Sequence, residues 1–210
     1  MRDIPGCLYV LVNNSRYREV VSYVYEQEVI RNGQDSIFVF GYGSLIWRPD
    51  FQYTDVHQAV VPDYERRFWQ ASHDHRGTPS SPGRVVTMVP SEGGRCEGLV
   101  YRLPDQGRDQ ILAKLDEREQ DGYERAWLKA IKVEGGDSVT VLTWLAEEGN
   151  PSWMGEQPME DLAELINSRQ GPSGSNRDYL LRLHEAFLEM GINDEHISDL
   201  ADRVRRLSNL

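Results

Sequence analysis

Cysteine is scarce in this chain: Cys7 and Cys96 are the only two among 210 residues. They lie far apart with no Cys-x-x-Cys spacing, which argues against a disulfide framework and against a cysteine-built zinc site. Long apolar runs are missing as well. No stretch approaches the roughly 18 residues that a membrane-spanning helix requires. The short apolar patch at residues 8–12 runs into polar residues rather than a small-residue cleavage site, so the expectation is a cytoplasmic protein with no secretory leader and no membrane partner. Positive charge is in deficit: 23 Lys and Arg stand against 34 Asp and Glu, a net charge of −11, which argues against a nucleic-acid surface. An anionic ligand would therefore need local cations lining its site.

The nucleotide-binding loops are absent too. Residues 38–47 (Phe38-Val39-Phe40-Gly41-Tyr42-Gly43-Ser44-Leu45-Ile46-Trp47) carry an apolar strand into a loop with two glycines and a serine. No Gly-Lys-Ser/Thr follows at P-loop spacing, and no third glycine opens a helix. Pro49 disfavours helix at Arg48. What remains is a turn whose main-chain N–H groups can approach a ligand closely, because Gly41 and Gly43 have no Cβ. A plain tight strand turn fits the glycines equally well. Ser44 lacks the Gly-x-Ser-x-Gly setting of a nucleophile elbow and reads as a binding hydroxyl.

Residues 108–119 read as a helix with Ile111, Leu112 and Leu115 on one stripe and Gly122 beyond its end. Glu119 lies four residues past Leu115, on the inward stripe; Asp116 falls at its edge and Glu117 on the solvated side. A carboxylate facing inward in the last turn meets both desolvation and the negative end of the helix dipole, and both raise its pKa. That is the tuning a general base needs. The plainer alternative is an inward Glu paired to Arg118, Arg125 or Arg84.

Seven strands are expected, at residues 37–40, 56–61, 67–71, 84–89, 97–103, 126–133 and 139–145, with the 108–119 helix among them. From Met159 onward the apolar spacing is helical, through residues 162–166, 179–188 and 197–204. This layout is α+β: a small mixed β-barrel or sheet flanked by helices, with the C-terminal helices last. Linker-like composition occurs at 78–83, 91–94, 147–158 and 171–176. Residues 1–36 read as an N-terminal extension, possible helix at 17–30, ahead of a 37–210 domain. His73 and His75 could share a metal on a strand, but no third ligand follows at useful spacing, and no metal or other cofactor is expected.

The blocks Tyr42-Gly43-Ser44-Leu45-Ile46-Trp47, Arg66-Arg67-Phe68-Trp69-Gln70, Asp74-His75-Arg76-Gly77, Pro82-Gly83-Arg84-Val85-Val86-Thr87, Leu115-Asp116-Glu117-Arg118-Glu119-Gln120-Asp121-Gly122-Tyr123 and Gly171-Pro172-Ser173-Gly174-Ser175-Asn176 occur in that order. Together they resemble the ChaC-type glutathione-specific γ-glutamylcyclotransferases. The resemblance implies the barrel form of the fold, Glu119 as catalytic acid/base, and the loop Tyr42, Gly43, Ser44 and Leu45 as the holder of the γ-glutamyl group. Phe40, Gly41, Arg76 and Tyr123 join the candidate substrate-binding residues. The implied substrate is glutathione, cleaved without a cofactor. The same loop and Glu would also suit other γ-glutamyl amino acids or amines, and a non-catalytic binding protein could keep the fold.

Overall fold

The structure is a computed structural model that describes residues 36–207. Apart from Ser36, the N-terminal extension and its expected helix lie outside the described residues, as does Cys7. Five strands form a closed barrel: β1 (Phe38–Gly41), β2 (Asp55–Ser72), β3 (Gly83–Arg102), β4 (Tyr123–Lys132) and β5 (Ser138–Ala146), in the order β1-β3-β2-β4-β5. All neighbours are antiparallel except at the closure, where β1 and β5 run parallel with Val39 opposite Leu142. Closure pairs β1 and β5 along the seam, while the far halves of β2 and β3 pair, among the barrel strands, only with each other.

Four of the expected strands fuse into two long ones, β2 of 18 and β3 of 20 residues. The gap between the expected strands 56–61 and 67–71 and the linker-like residues 91–94 meet in one bulge. Pro62 pairs with Arg95 and Tyr64 with Pro90, so Asp63 alone opposes residues 91–94. Asp63 takes a left-handed φ of 58° and its carboxylate accepts from Gly93 N–H at 2.9 Å, which satisfies the unpaired backbone there. A second shift sets Phe68 and Trp69 against Val86 alone. These bends let one ribbon serve first as barrel wall and then as an arm over the helices.

Helix α1 (Arg108–Arg118) buries only Leu115, which packs with Val39, Leu103, Leu142 and Trp144. Ile111 and Leu112 are only partly covered. Helices α2 (Met159–Ser168), α3 (Asn176–Met190) and α4 (Glu195–Leu207) form the larger core against the β2–β3 arm, with Phe68, Met88, Leu180, Leu183, Phe187 and Leu200 at its centre. Between α2 and α3 lies a two-stranded hairpin, β6 (Gln170–Gly171) and β7 (Gly174–Ser175). Ser175 caps α3 by accepting from Asp178 N–H at 3.0 Å, and Gly191 ends the helix at φ 69°. No helix among the described residues is long and apolar enough to cross a membrane.

Candidate active site

A cavity of about 190 Å³ opens where the end of β1, the end of α1, the start of β4 and the β6–β7 hairpin converge. Phe40, Tyr42, Gly43, Ser44, Leu45, Arg76, Glu119 and Tyr123, all read from the sequence as site residues, line it. Gly41 does not. Its missing side chain instead makes room inside the turn, since a Cβ there would stand 2.7 Å from Leu45 Cβ.

The loop after β1 is shaped by a short 3₁₀ turn, Ser44–Ile46, with Leu45 and Ile46 buried beneath it. Ile46 N–H donates to Gly43 O at 3.0 Å and Arg48 N–H to Ser44 O at 2.9 Å. Gly43 lies under Tyr179: a Cβ would meet the Tyr179 hydroxyl at 3.1 Å and Val86 Cγ2 at 3.0 Å. Arg66 holds the loop from below, its Nε donating to Tyr42 O at 2.7 Å.

Glu119 stands on the facing wall. Helix α1 stops one residue short of the expected end, and Glu119 is its C-cap, with its N–H still donating to Leu115 O at 2.8 Å. Its side chain keeps 21% of its surface accessible. Burial raises its pKa above the ordinary carboxylate value; Arg118 first and then His75 oppose that rise, while Asp74 adds to it. Both readings of the helix stripe are therefore present at once: Glu119 is inward and desolvated, and Arg118 Nε lies 3.5 Å from its Oε1.

Three tyrosines surround this carboxylate. Tyr42 donates its hydroxyl to Trp144 O at 2.7 Å and Tyr123 donates to Val86 O at 2.6 Å. Burial, reinforced by other nearby groups including Glu119, pushes both well above their ordinary pKa, and Tyr179 up to about 12. All three stay protonated at neutral pH.

The cations differ in part from those the sequence suggested. Of Arg66, Arg67, His75, Arg76 and Arg84, only His75 and Arg76 line the cavity, joined there by Arg48 and Arg118. Arg66 and Arg84 are buried, each 2% exposed, and Arg67 pairs with Glu65. Arg76 donates through Nη1 to Ser173 O at 2.7 Å, and its guanidinium lies 5.3 Å from the centre of the Tyr179 ring. Burial lowers its pKa below the usual guanidinium value.

The hairpin wall is built by close backbone approach. Ser173 N–H donates to His75 O at 3.0 Å, and a Cβ on Gly171 would stand 2.3 Å from that same oxygen. Asn176 clamps the arm, accepting from Arg84 N–H at 2.6 Å and donating to Arg84 O at 2.7 Å. His73 and His75 do not act as a pair: His73 Nδ1 meets Asp121 Oδ2 at 2.8 Å, while His75 Nδ1 meets Ser173 Oγ at 3.0 Å. Burial works to raise the Asp121 pKa, but hydrogen bonds with Ser152 and His73 outweigh it and hold the group below its usual value. Among the described residues, no group of three or more His, Cys, Asp or Glu is placed to hold a metal ion.

Tyr179, Arg118, Trp144 and Asp121 are lining residues that the sequence did not mark as such. Tyr179 falls on the apolar stripe of α3, where its hydroxyl is the one hint of a polar neighbour; for Arg118 the sequence suggests only an ion pair.

Residues 37–207 match the family described as ChaC-like protein. The chain is 36% identical over 181 residues to glutathione-specific γ-glutamylcyclotransferase 1 of Homo sapiens, covering 83% of this chain and 82% of that one. It is 35% identical over 179 residues to γ-glutamylcyclotransferase 2-3 of Arabidopsis thaliana, covering 82% and 90%. The crystal structure of a glutathione-specific γ-glutamyl cyclotransferase from yeast superposes with a TM-score of 0.77 at 28% identity, covering 81% of this chain and 96% of that one.

Proposed function

The chain belongs to the ChaC-like family, and from that premise we propose that it cleaves glutathione to 5-oxoproline and cysteinyl-glycine. The observation that carries this reading is the desolvated Glu119 carboxylate on one wall of a cavity whose other wall is the 42–45 loop.

The glutamyl α-amine attacks its own γ-amide carbonyl carbon. A five-membered lactam closes and the C–N bond to the cysteinyl nitrogen breaks. Attacker and target belong to one molecule, so the protein's task is to fold the glutamyl chain into reactive geometry, where intramolecular advantages reach roughly 10⁵ M or more. The amine arrives mostly protonated at neutral pH. Glu119 takes that proton and returns one to the departing nitrogen, and its raised pKa makes it a stronger acceptor than an ordinary carboxylate. Main-chain N–H groups of the loop serve either the α-carboxylate or the oxygen that gains charge as the ring closes. Arg76 and Arg48 supply the local positive charge that a tripeptide carboxylate needs in so acidic a protein.

Incubating the purified chain with glutathione and detecting 5-oxoproline tests the reading directly. Glutathione is expected to be turned over at least about tenfold faster than γ-glutamyl-alanine, and its glycine ethyl ester to show a raised KM. Equal kcat/KM for glutathione and γ-glutamyl-alanine would leave the ring-closing chemistry but remove the glutathione preference. Turnover is also expected to survive exhaustive dialysis against a chelator, because ring closure asks only for a base and oriented donors. Loss of activity that one divalent ion restores would contradict that mechanism.

A further inference from the structure

We propose that Arg118 is a positioning residue for this reaction, binding the 44–50 segment to the end of α1 and so fixing the Glu119 carboxylate against the substrate loop. The inference rests on the acid/base reading of Glu119 but concerns a different residue.

Its guanidinium divides its hydrogen bonds between elements far apart in sequence. Nη2 donates to Ser44 Oγ at 2.9 Å, and Nη1 donates to Arg48 O at 2.9 Å and to Pro49 O at 3.3 Å. Asp50 Oδ2 lies 3.7 Å from Nη1, and Nε faces Glu119 Oε1 at 3.5 Å. One planar fork thus touches both walls of the cavity, which the single ammonium of a lysine cannot reproduce.

Helix α1 needs such a tie. It fully buries only Leu115, with Ile111 and Leu112 partly covered against the same cluster, so few apolar contacts set the position of its last turn. Polar contacts do this on two sides. Asp116 fastens α1 to the barrel, accepting from Arg125 at 2.7 and 2.5 Å and from Trp144 Nε1 at 3.1 Å. Arg118 fastens it to the loop after β1. A carboxylate displaced by even an ångström from the amine it must deprotonate loses much of the advantage of intramolecular geometry.

The same contact bears on proton affinity. The charged or titratable groups acting on Glu119 are Arg118 beside it in the chain, Asp74 and His75 from the loop after β2, Tyr42 from the loop after β1, Tyr123 from β4 and Tyr179 from α3. The three hydroxyls stay neutral near physiological pH. Arg118 is therefore the permanent cation that restrains the rise caused by burial. Removing it leaves Glu119 more tightly protonated and a smaller fraction of it ready to act as base at neutral pH.

Arg118→Met and Arg118→Lys, compared with the intact chain, test this by steady-state kinetics with glutathione and by a carbon-13 NMR titration of the Glu119 carboxyl, assigned by its absence in Glu119→Gln. Arg118→Met is expected to lose about ten- to a hundredfold in kcat/KM, with most of the loss in kcat, and to move the Glu119 midpoint to higher pH. Arg118→Lys keeps the charge, so its midpoint stays near that of the intact chain while its rate recovers only in part. An unchanged midpoint together with kcat/KM within about twofold in Arg118→Met overturns the proposal. If Arg118→Met does not fold, a wild-type rate in Arg118→Lys overturns it instead. A chain that turns over no glutathione ends the cyclotransferase reading and the positioning role with it, whereas an active chain with an unaltered Arg118→Met overturns the positioning role alone.

Discussion

Glu119→Gln is expected to reduce kcat/KM for glutathione at least about a hundredfold while leaving the melting temperature no lower than that of the parent chain. The two halves of that result have one cause. A carboxyl whose pKa is raised in the folded chain contributes stability that is fully present below its unfolded pKa and is lost as pH rises through its folded pKa. At neutral pH the ionised, desolvated Glu119 is therefore a cost to the fold. The neutral amide of Gln fills the same space without that cost, and it can neither take the amine's proton nor pass one on. The gap in melting temperature between variant and parent should widen as pH is raised from about 4 to about 7, and the acid limb of the kcat/KM profile in the parent should lie above the ordinary carboxylate range. Near-normal turnover by a folded Gln variant would remove Glu119 from the mechanism. Glu117→Gln, on the exposed side of α1, should change neither rate nor melting temperature appreciably.

What the sequence disclosed and what it hid follow from the range of the interactions involved. The 38–47 loop was legible because its glycine pattern is local, and Gly41 makes room for Leu45 four residues on; that Gly43 makes room for Tyr179 was not legible, since Tyr179 is distant in sequence. Glu119 was legible because helical spacing places it next to Leu115 on one face, although the helix itself ends at Arg118. The C-terminal helices were legible for the same reason of period. The fusion of four expected strands into β2 and β3 was not. Proline, aspartate and glycine look like a chain break in any short window, and only the partner strand shows that Asp63 and residues 91–94 form a bulge in a continuous ribbon. The roles of the arginines were hidden too, because sequence order says nothing about which guanidinium is covered. Arg66 and Arg84 belong to the interior, whereas Arg118, adjacent to the catalytic candidate, reaches across to a loop some seventy residues away.

Arg66→Met is expected to destabilise the chain by about 3–5 kcal/mol, lowering the melting temperature by about 6–20 °C. Arg66 is one of the most deeply buried side chains in the molecule, its side chain 1% exposed, yet it is charged. It survives there because each part of its fork has a partner: Nε donates to Tyr42 O at 2.7 Å, Nη2 donates to Glu97 O, Nη1 meets Asp194 Oδ2 at 2.5 Å, and the guanidinium carbon lies 4.3 Å from the centre of the Phe187 ring. Met approximates the volume of the stem but leaves the Asp194 carboxylate, 16% exposed, without its counter-charge and removes the guanidinium donor from the buried Tyr42 carbonyl and from Glu97 O. Asp194 also caps α4, accepting from Ile197 N–H at 3.1 Å through Oδ1. Asp194→Asn is the informative partner change for that reason, since it keeps the capping oxygen and replaces the charged Oδ2 that accepts from Arg66 with an uncharged amide nitrogen. Combined with Arg66→Met it leaves no unpaired ion, so the double variant should be less destabilised than the sum of the two singles by about 1–3 kcal/mol. Denaturant melts of the four chains measure this directly, and strict additivity would show that the pair is not coupled. Because Tyr42 O is a carbonyl of the proposed substrate loop, Arg66→Met should also raise KM for glutathione under conditions where the chain is still folded, linking the stability of the core to the geometry of the site.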